Sequence, residues 1–273
     1  MRDNAFQMRI VQNGRITAVD ACSSQAFARH SHDDFGIGLM TGGAQRSWSG
    51  RGHVEAKQGN LITVNPAEVH DGMPIGEHRT WSMLYFAPDL ISTIVADLSE
   101  GRDSDRELHS PVIDNARIAH LFRMARAAAI ADEQDEGFQE ALLALFGALH
   151  HVAIPASTST STSTSTSSAA SLKQARSCID DDPAANHTLA ELARLAGLSR
   201  FQTLRGFTRL TGLTPRAYVI QRRLDLVRGL IRQGSTLADA AAAAGFADQS
   251  HMHRAFVVRY GLTPGAYGLA HRH

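Results

Sequence analysis

Cysteine is scarce: Cys22 and Cys178 are the only two in 273 residues. They fall in what read as different domains, so no disulfide framework is expected. Long apolar runs are missing too. A membrane-spanning helix needs about 18 consecutive apolar residues, and the nearest approach, ALLALFGALHHVAI, is broken by His150 and His151. The opening MRDNAFQMRI lacks the apolar core of a secretory signal. A chain with a cytosolic location and no membrane partner is therefore expected, and its 43% of hydrophobic residues is enough to pack a core.

Net charge is also absent, but only as a sum of unlike parts. Residues 171–273 carry 14 Lys and Arg against 7 Asp and Glu, whereas the first 170 residues carry 13 against 20. Only the basic part is suited to meet a polyanion. The two parts meet near residues 157–168, STSTSTSTSTSS, an alternation with no apolar face to bury. Such a composition reads as a linker, and about 16 residues of flexible coil would separate their ends by roughly 20–24 Å. The expected division is a domain over 1–155, a Ser/Thr linker over 156–170 and a second domain over 171–273.

Within residues 10–88, Gly-rich turns separate short alternating segments such as GNLITVNP and RTWSMLYFAP, an all-β pattern. Two helical stretches follow at 113–131 and 137–153. Their apolar residues Ile118, Leu121, Phe122 and Ala125, then Leu142, Leu145, Phe146 and Leu149, recur at helical spacing. These helices serve either to pack on the β domain or to pair two chains, and the sequence leaves both open.

Beyond the linker the chain repeats itself. GLSRFQTLRGFTRLTGLTPRAY at 197–218 is echoed by GFADQSHMHRAFVVRYGLTPGAY at 245–267, offset by 48 to 49 residues. In the first copy Thr188-Leu-Ala-Glu191 and Ser199-Arg-Phe-Gln202 are capping boxes that open two short helices around Gly197. That is a helix-turn-helix. Leu204, Phe207 and Leu210 read as its inward face, with Phe201, Arg205 and Arg209 on the other side. In the second copy Thr236, Gly245 and Asp248 take the corresponding places. Met252, Ala255 and Phe256 turn inward, leaving Gln249, Ser250, His253 and Arg254 outside. Between the copies RAYVIQRRLDLVRGLIRQ has helical periodicity, with Tyr218, Leu224, Val227 and Ile231 as core positions. Eighteen helical residues span about 27 Å, and successive major grooves on one face of DNA lie about 34–36 Å apart. One chain could thus present two reading helices to adjacent grooves.

The paired GLTP closures, with A-G-L-S, Q-R-R-L and A-G-F in register, resemble the AraC/XylS family of transcriptional regulators over residues 171–268. The resemblance implies that Phe201, Leu204 and Arg205 meet base edges from the first reading helix, and Gln249, Ser250, His251 and Arg254 from the second. Arg200, Gln202 and His253 complete the candidate DNA-binding set. Phe201 and Leu204 offer only apolar contacts, so Arg205 would supply the hydrogen-bonded readout there. Arg200, Arg209, Arg222 and Arg223 are expected to hold phosphates.

The acidic part carries HSHDDFGIGLMTGG and GNLITVNPAEVHDG. His30 and His32, two residues apart, would share one face of a strand, and His70 ends a Gly-x6-Pro-x3-His run. This resembles the two motifs of cupins, small jelly-roll barrels, and the effector-binding domain of the AraC family. Metal-binding cupins add a glutamate soon after H-x-H, where this chain has Gly36, Ile37 and Gly38. Three imidazoles remain a valid site for a divalent metal, with Asp34 or Glu68 as substitute carboxylates. A polar pocket for a small effector, lined by His30, His32, Arg46, Trp48 and His70, is the alternative, with Phe35, Trp81 and Tyr85 beside it. Histidines serving only to hydrogen-bond the core are the third.

The expected fold is therefore α+β in two domains, a cupin-like β-barrel with helices and an all-α double helix-turn-helix. The expected function is a sequence-specific transcription regulator, an activator by preference, answering to a small molecule, with no catalytic residue and no obligatory cofactor. Double-stranded DNA and the effector are its partners, joined by RNA polymerase where it activates and by a second copy where it dimerises. The competing reading is a metal-dependent cupin enzyme fused to a DNA-binding domain.

Overall fold

The computed structural model describes residues 4–12, 14–50, 52–99, 107–131, 136–150 and 166–271. The chain separates into two compact units, Met1–Ser157 and Thr158–Arg272.

The first unit is built on strands β1 (Asn4–Val11), β2 (Ile16–Ser23), β3 (Phe27–His30), β4 (Phe35–Ser49), β5 (Gly52–Lys57), β6 (Leu61–Val64), β7 (His70–Phe86) and β8 (Val112–Ile113). All the pairings are antiparallel, in the order β1-β2-β7-β4-β6-β8, with β3 added to β7 and β5 to β4. Side chains alternate between faces along a strand, and here both faces are buried. Ile16 and Ala18 of β2, Ile37 and Leu39 of β4, and Leu84 and Phe86 of β7 enter one core. Their neighbours Val19, Ala21, Met40, Trp81 and Met83 enter the other. Register shifts between Met40 and Ala44 interrupt the β4–β7 ladder, the kind of bulge that bends a long strand.

Three helices cover the first core: α1 (Pro88–Ser99), α2 (Ala116–Ile130) and α3 (Glu136–His150). Asn115 caps α2 by accepting from the backbone N–H groups of Arg117 and Ile118. Ile118, Phe122 and Ala125 of α2 and Leu142, Leu145 and Phe146 of α3 are buried against the sheet. The apolar faces of these helices are thus used within the β domain. Helix α1 follows directly on the β region and is not among the helices expected from apolar spacing.

The second unit holds α4 (Thr166–Asp181), α5 (Leu189–Ala196), α6 (Arg200–Thr211), α7 (Pro215–Arg232), α8 (Leu237–Ala243), α9 (Gln249–Tyr260) and α10 (Pro264–Ala270). Helix α4 begins inside the expected linker, so residues 166–170 are helical, while 156–165 lie outside the described residues. Its Leu172, Ala175 and Ile179 are buried with Leu192, Ala196 and Phe207 of the first hairpin. A buried apolar stripe gives this serine-rich start a reason to fold as helix.

The capping motifs act as their sequences require. Thr188 with Glu191 and Ser199 with Gln202 form reciprocal boxes, and Thr236 and Asp248 accept from Asp239 N–H and His251 N–H. Each GLTP is a compact stop-and-start. Gly212 ends α6 at φ +75°, a left-handed conformation that favours glycine. Thr214 then caps α7 and Pro215 fills its first turn, where the missing N–H is no loss. Gly261, Thr263 and Pro264 repeat the sequence between α9 and α10.

Candidate nucleic-acid interface and histidine cluster

Helices α6 and α9 are the second helices of the two hairpins. On α6, Thr203 and Phe207 are fully buried, and the Phe207 ring meets Tyr218 edge to face at 5.4 Å. The opposite side carries Arg200, Phe201, Leu204, Arg205 and Arg209, all exposed. Leu204 is 36% exposed and does not belong to the inward face. Thr203, one position earlier, takes that place and returns its hydroxyl to Ser199 O at 2.9 Å. Phe201 is 65% exposed, a large apolar ring in water with the Arg205 guanidinium 5.6 Å from its centroid. Gln202 is exposed, but its side-chain oxygen accepts from Ser199 N–H, which ties it to the cap.

On α9, Met252 and Phe256 are buried and Gln249, Ser250, His253 and Arg254 are exposed. His251 is half-buried, its ring edge-on to Phe246 at 5.2 Å. Both helices therefore present donors on one free face while the other face holds the unit together.

Arg222 and Arg223 are a correction. Neither is a free phosphate grip. Arg222 pairs with Asp180 at 3.0 Å and Asp225 at 3.1 Å. Arg223 donates to the carbonyls of Pro183 (2.9 Å), Ala184 (3.2 Å), Ala185 (2.9 Å) and Gly245. A guanidinium has five N–H groups in a fixed fork, and this one staples α7 to the α4–α5 loop and to the turn of the second hairpin. Arginine-rich sequence shows a helix to be basic without showing which arginines look inward.

In the β unit, the β3–β7 ladder brings His30 opposite His70. His32 lies just past β3, off the strand, yet is buried with His30. Ring centroids are 4.4 Å apart for His30–His70, 4.7 Å for His32–His70 and 5.9 Å for His30–His32. Each Nδ1 faces a backbone carbonyl: Ala28 O at 2.8 Å, Asp34 O at 3.4 Å and Glu68 O at 3.0 Å for His30, His32 and His70. A carbonyl only accepts, so these contacts favour the tautomer with the proton on Nδ1 and a lone pair on Nε2. Desolvation lowers the His70 pKa against the raising effects of its Glu68 hydrogen bond and of the Glu68 and Asp71 charges.

The other expected pocket residues disperse. Arg46 is exposed and pairs with Glu55 across the β4–β5 ladder at 2.9 Å. Period-two alternation explains the correction, because Gln45 and Ser47 on either side take the buried face. Trp48 shares the parity of Arg46. Its ring lies 4.2 Å from the Arg29 guanidinium, and the Trp48 backbone N–H donates to the Asp71 carboxylate at 2.6 Å. Phe35 is in the helix-covered core. Tyr85 does reach the histidines, its ring 4.9 Å from His32 and edge-on to it. The Glu68 carboxylate braces the turn by accepting from Asn65 N–H and Nδ2 at 3.0 Å each.

The glycines standing where a metal-binding cupin has its glutamate have a steric reason. A Cβ on Gly36 would lie 2.7 Å from Met83 Cε and 3.3 Å from a Tyr85 ring carbon, and one on Gly38 would lie 2.3 Å from Met83 Sδ. The space for that fourth side chain is filled by Met83 and Tyr85.

Arg79 is a further buried polar residue that no sequence motif marks. It is 1% exposed and donates to Gln25 O at 3.3 Å and Gly72 O at 3.2 Å. Its guanidinium lies 5.1 Å from the Phe27 ring and 4.9 Å from the Trp81 ring. No carboxylate pairs with it among the described residues, and burial pushes its pKa down to about 10. Only the three-dimensional neighbours distinguish it from the surface arginines.

A β domain with a buried polar cluster and a helical domain with two matched reading helices define a class of ligand-responsive DNA-binding regulators. Residues 13–172 match the family of the AraC-like ligand binding domain and residues 192–269 match a helix-turn-helix domain family. The chain belongs to the AraC family of transcription regulators. It is 27% identical over 235 residues, 84% of its own length and 82% of the relative's, to the uncharacterised HTH-type transcriptional regulator YbfI of Bacillus subtilis. It is 36% identical to the transcriptional activator NphR of a Rhodococcus species over 88 residues, 32% of this chain and 26% of that one. Its fold is that of ToxT from Vibrio cholerae, with a TM-score of 0.53 at 10% identity over 94% of this chain and 98% of that one. No described helix is long and apolar enough to cross a membrane.

Proposed function

We propose that the chain reads two consecutive major grooves of one DNA duplex through α6 and α9, and that a small effector held in the β unit alters the availability of that pair. The observation that carries this reading is the duplicated, capped hairpin with its donor-bearing face left in solvent on both copies. Arg205 and Arg254 can each give two hydrogen bonds to guanine and Gln249 to adenine, while Arg200 and Arg209 suit phosphates. Ser250, His251 and His253 flank the second set, and Phe201 and Leu204 offer apolar contact for thymine methyls. The protein works as a non-enzymatic regulator in the cytosol, with RNA polymerase as a further partner where it activates. Its relatives carry the names of transcription regulators, which supports that reading over a fused enzyme.

Footprinting the full chain on selected genomic fragments is the test. Protection of two segments about one helical turn apart on one face is the expected result. Arg205→Ala should weaken the selected site by about 1–3 kcal/mol and relax preference at one base pair. Protection of one groove's width only, or equal affinity of wild type and Arg205→Ala for selected and random DNA, would contradict the assignment.

A further inference from the structure

The geometry points to a divalent transition-metal site formed by His30, His32 and His70, with at least one coordination position open to an external donor. The inference deepens the reading of residues 13–172 as a ligand-binding domain and rests on it. One ligand atom from each imidazole lies within 4.8 Å of the other two. Around a tetrahedral zinc with bonds of about 2.0–2.1 Å, such nitrogens stand about 3.3 Å apart, so each ring need move inward by less than ~1 Å. The rings are also pre-set for the task. Each Nδ1 is held by a backbone carbonyl, the outer-shell arrangement that fixes the tautomer and aims Nε2 at a metal.

Two further features favour a metal over a purely structural cluster. Imidazole nitrogens are favoured ligands of divalent first-row metals, and three of them converge here. The ladder that joins His30 to His70 places two of the rings on paired strands, so those two ligands sit on a rigid frame. Among the described residues no carboxylate joins the three imidazoles, and this has a consequence. Met83 and Tyr85 fill the room beside Gly36 and Gly38, so three neutral ligands would leave the ion's full double charge in place. An open position on such a centre takes water or an anionic oxygen or sulfur donor from outside.

The experiment uses the full chain, stripped with chelator and titrated with cobalt(II), whose visible d–d absorption reports coordination. The expected result is a saturable band at one equivalent per chain, with nitrogen-ligand character, that zinc displaces and that azide or another small anion shifts. His32→Ala and His70→Gln should weaken binding more than ~100-fold, beyond the effect of losing an outer-shell partner. His120→Ala, exposed on α2, should bind as wild type. Circular dichroism and melting of each variant without metal establish that it is folded. A wild-type chain that takes up no metal, or a folded His70→Gln chain that binds it as tightly, overturns the site. DNA binding is measured on the same stripped protein: loss of metal uptake with DNA binding retained refutes the metal site alone, and metal uptake without DNA binding refutes the regulator reading alone.

Discussion

Replacing Gly245 with alanine tests how the two hairpins are coupled. Gly245 has φ +75°, where an L-residue costs about 1–2 kcal/mol. An added Cβ would also lie 2.3 Å from the Ala184 carbonyl oxygen and 3.0 Å from the Ala184 carbonyl carbon and Cα. That oxygen belongs to the α4–α5 loop that leads into the first hairpin, and the loop cannot simply retreat, because Arg223 holds Pro183, Ala184 and Ala185 by their carbonyls. Overpacking of this kind typically adds about 1–3 kcal/mol, so the total is about 2–5 kcal/mol. Gly197 supplies the control. It has φ +63° and nothing within 4 Å of an added Cβ, so Gly197→Ala should show the conformational part, about 1–2 kcal/mol, by itself. The two tryptophans, Trp48 and Trp81, both lie in the β unit. In urea, tryptophan fluorescence should therefore be unmoved by either change, while the helical signal of the second unit shifts further for Gly245→Ala. Equal destabilisation by the two substitutions would refute the claim that the loop and the second turn are in load-sharing contact.

Two further outcomes are expected. Gly229 lies within α7 with open space around its Cα, so Gly229→Ala should stabilise the helical unit by about 0.5–1 kcal/mol in thermal melts. Arg209 is exposed in the last turn of α6. Arg209→Ala should weaken selected and random DNA alike and reduce the slope of log affinity against log salt by about 1, and a loss confined to the selected site would make it a base-reading residue instead.

Much of the helical unit could be read before folding because its signals are local. A capping box involves residues three apart, and Thr188, Ser199, Thr236 and Asp248 each cap the helix their sequence announces. GLTP likewise encodes a left-handed stop, a cap and a first-turn proline within four residues. What failed to be legible depends on distant partners. Arg223 and Arg205 are alike in sequence, yet one is spent on three carbonyls of the α4–α5 loop and one of the second hairpin's turn, and the other is exposed. Arg46 misled for a related reason, since a strand's phase is set by its neighbours, and β4 turns Gln45 and Ser47 inward instead. The three histidines were visible as a set, but their convergence needed the β3–β7 register. Hydrophobicity alone points Leu204 inward, but the buried Thr203, whose hydroxyl returns to its own helix, takes that place.

The ties around α7 also limit how an effector can act. Tyr218 hydroxyl donates to Asp180 at 2.7 Å and Arg222 pairs with the same carboxylate, fixing α4 to α7. On the other side Arg259 of α9 donates to Ala217 O at 3.2 Å, and Gln221 donates to Tyr260 at 3.2 Å. Arg223 then bridges the loop leading into the first hairpin and the second hairpin's turn. With both hairpins pinned to one helix, changing the distance between α6 and α9 would break several of these bonds together. A ligand has only its differential affinity between two states to spend, and a hundredfold preference amounts to about 2.7 kcal/mol. These bonds are part-buried, and losing a typical intramolecular hydrogen bond costs about 0.5–1.5 kcal/mol. Several at once exceed what such a ligand supplies, so regulation that moves the reading helices as a fixed pair is energetically accessible, and regulation that respaces them is not.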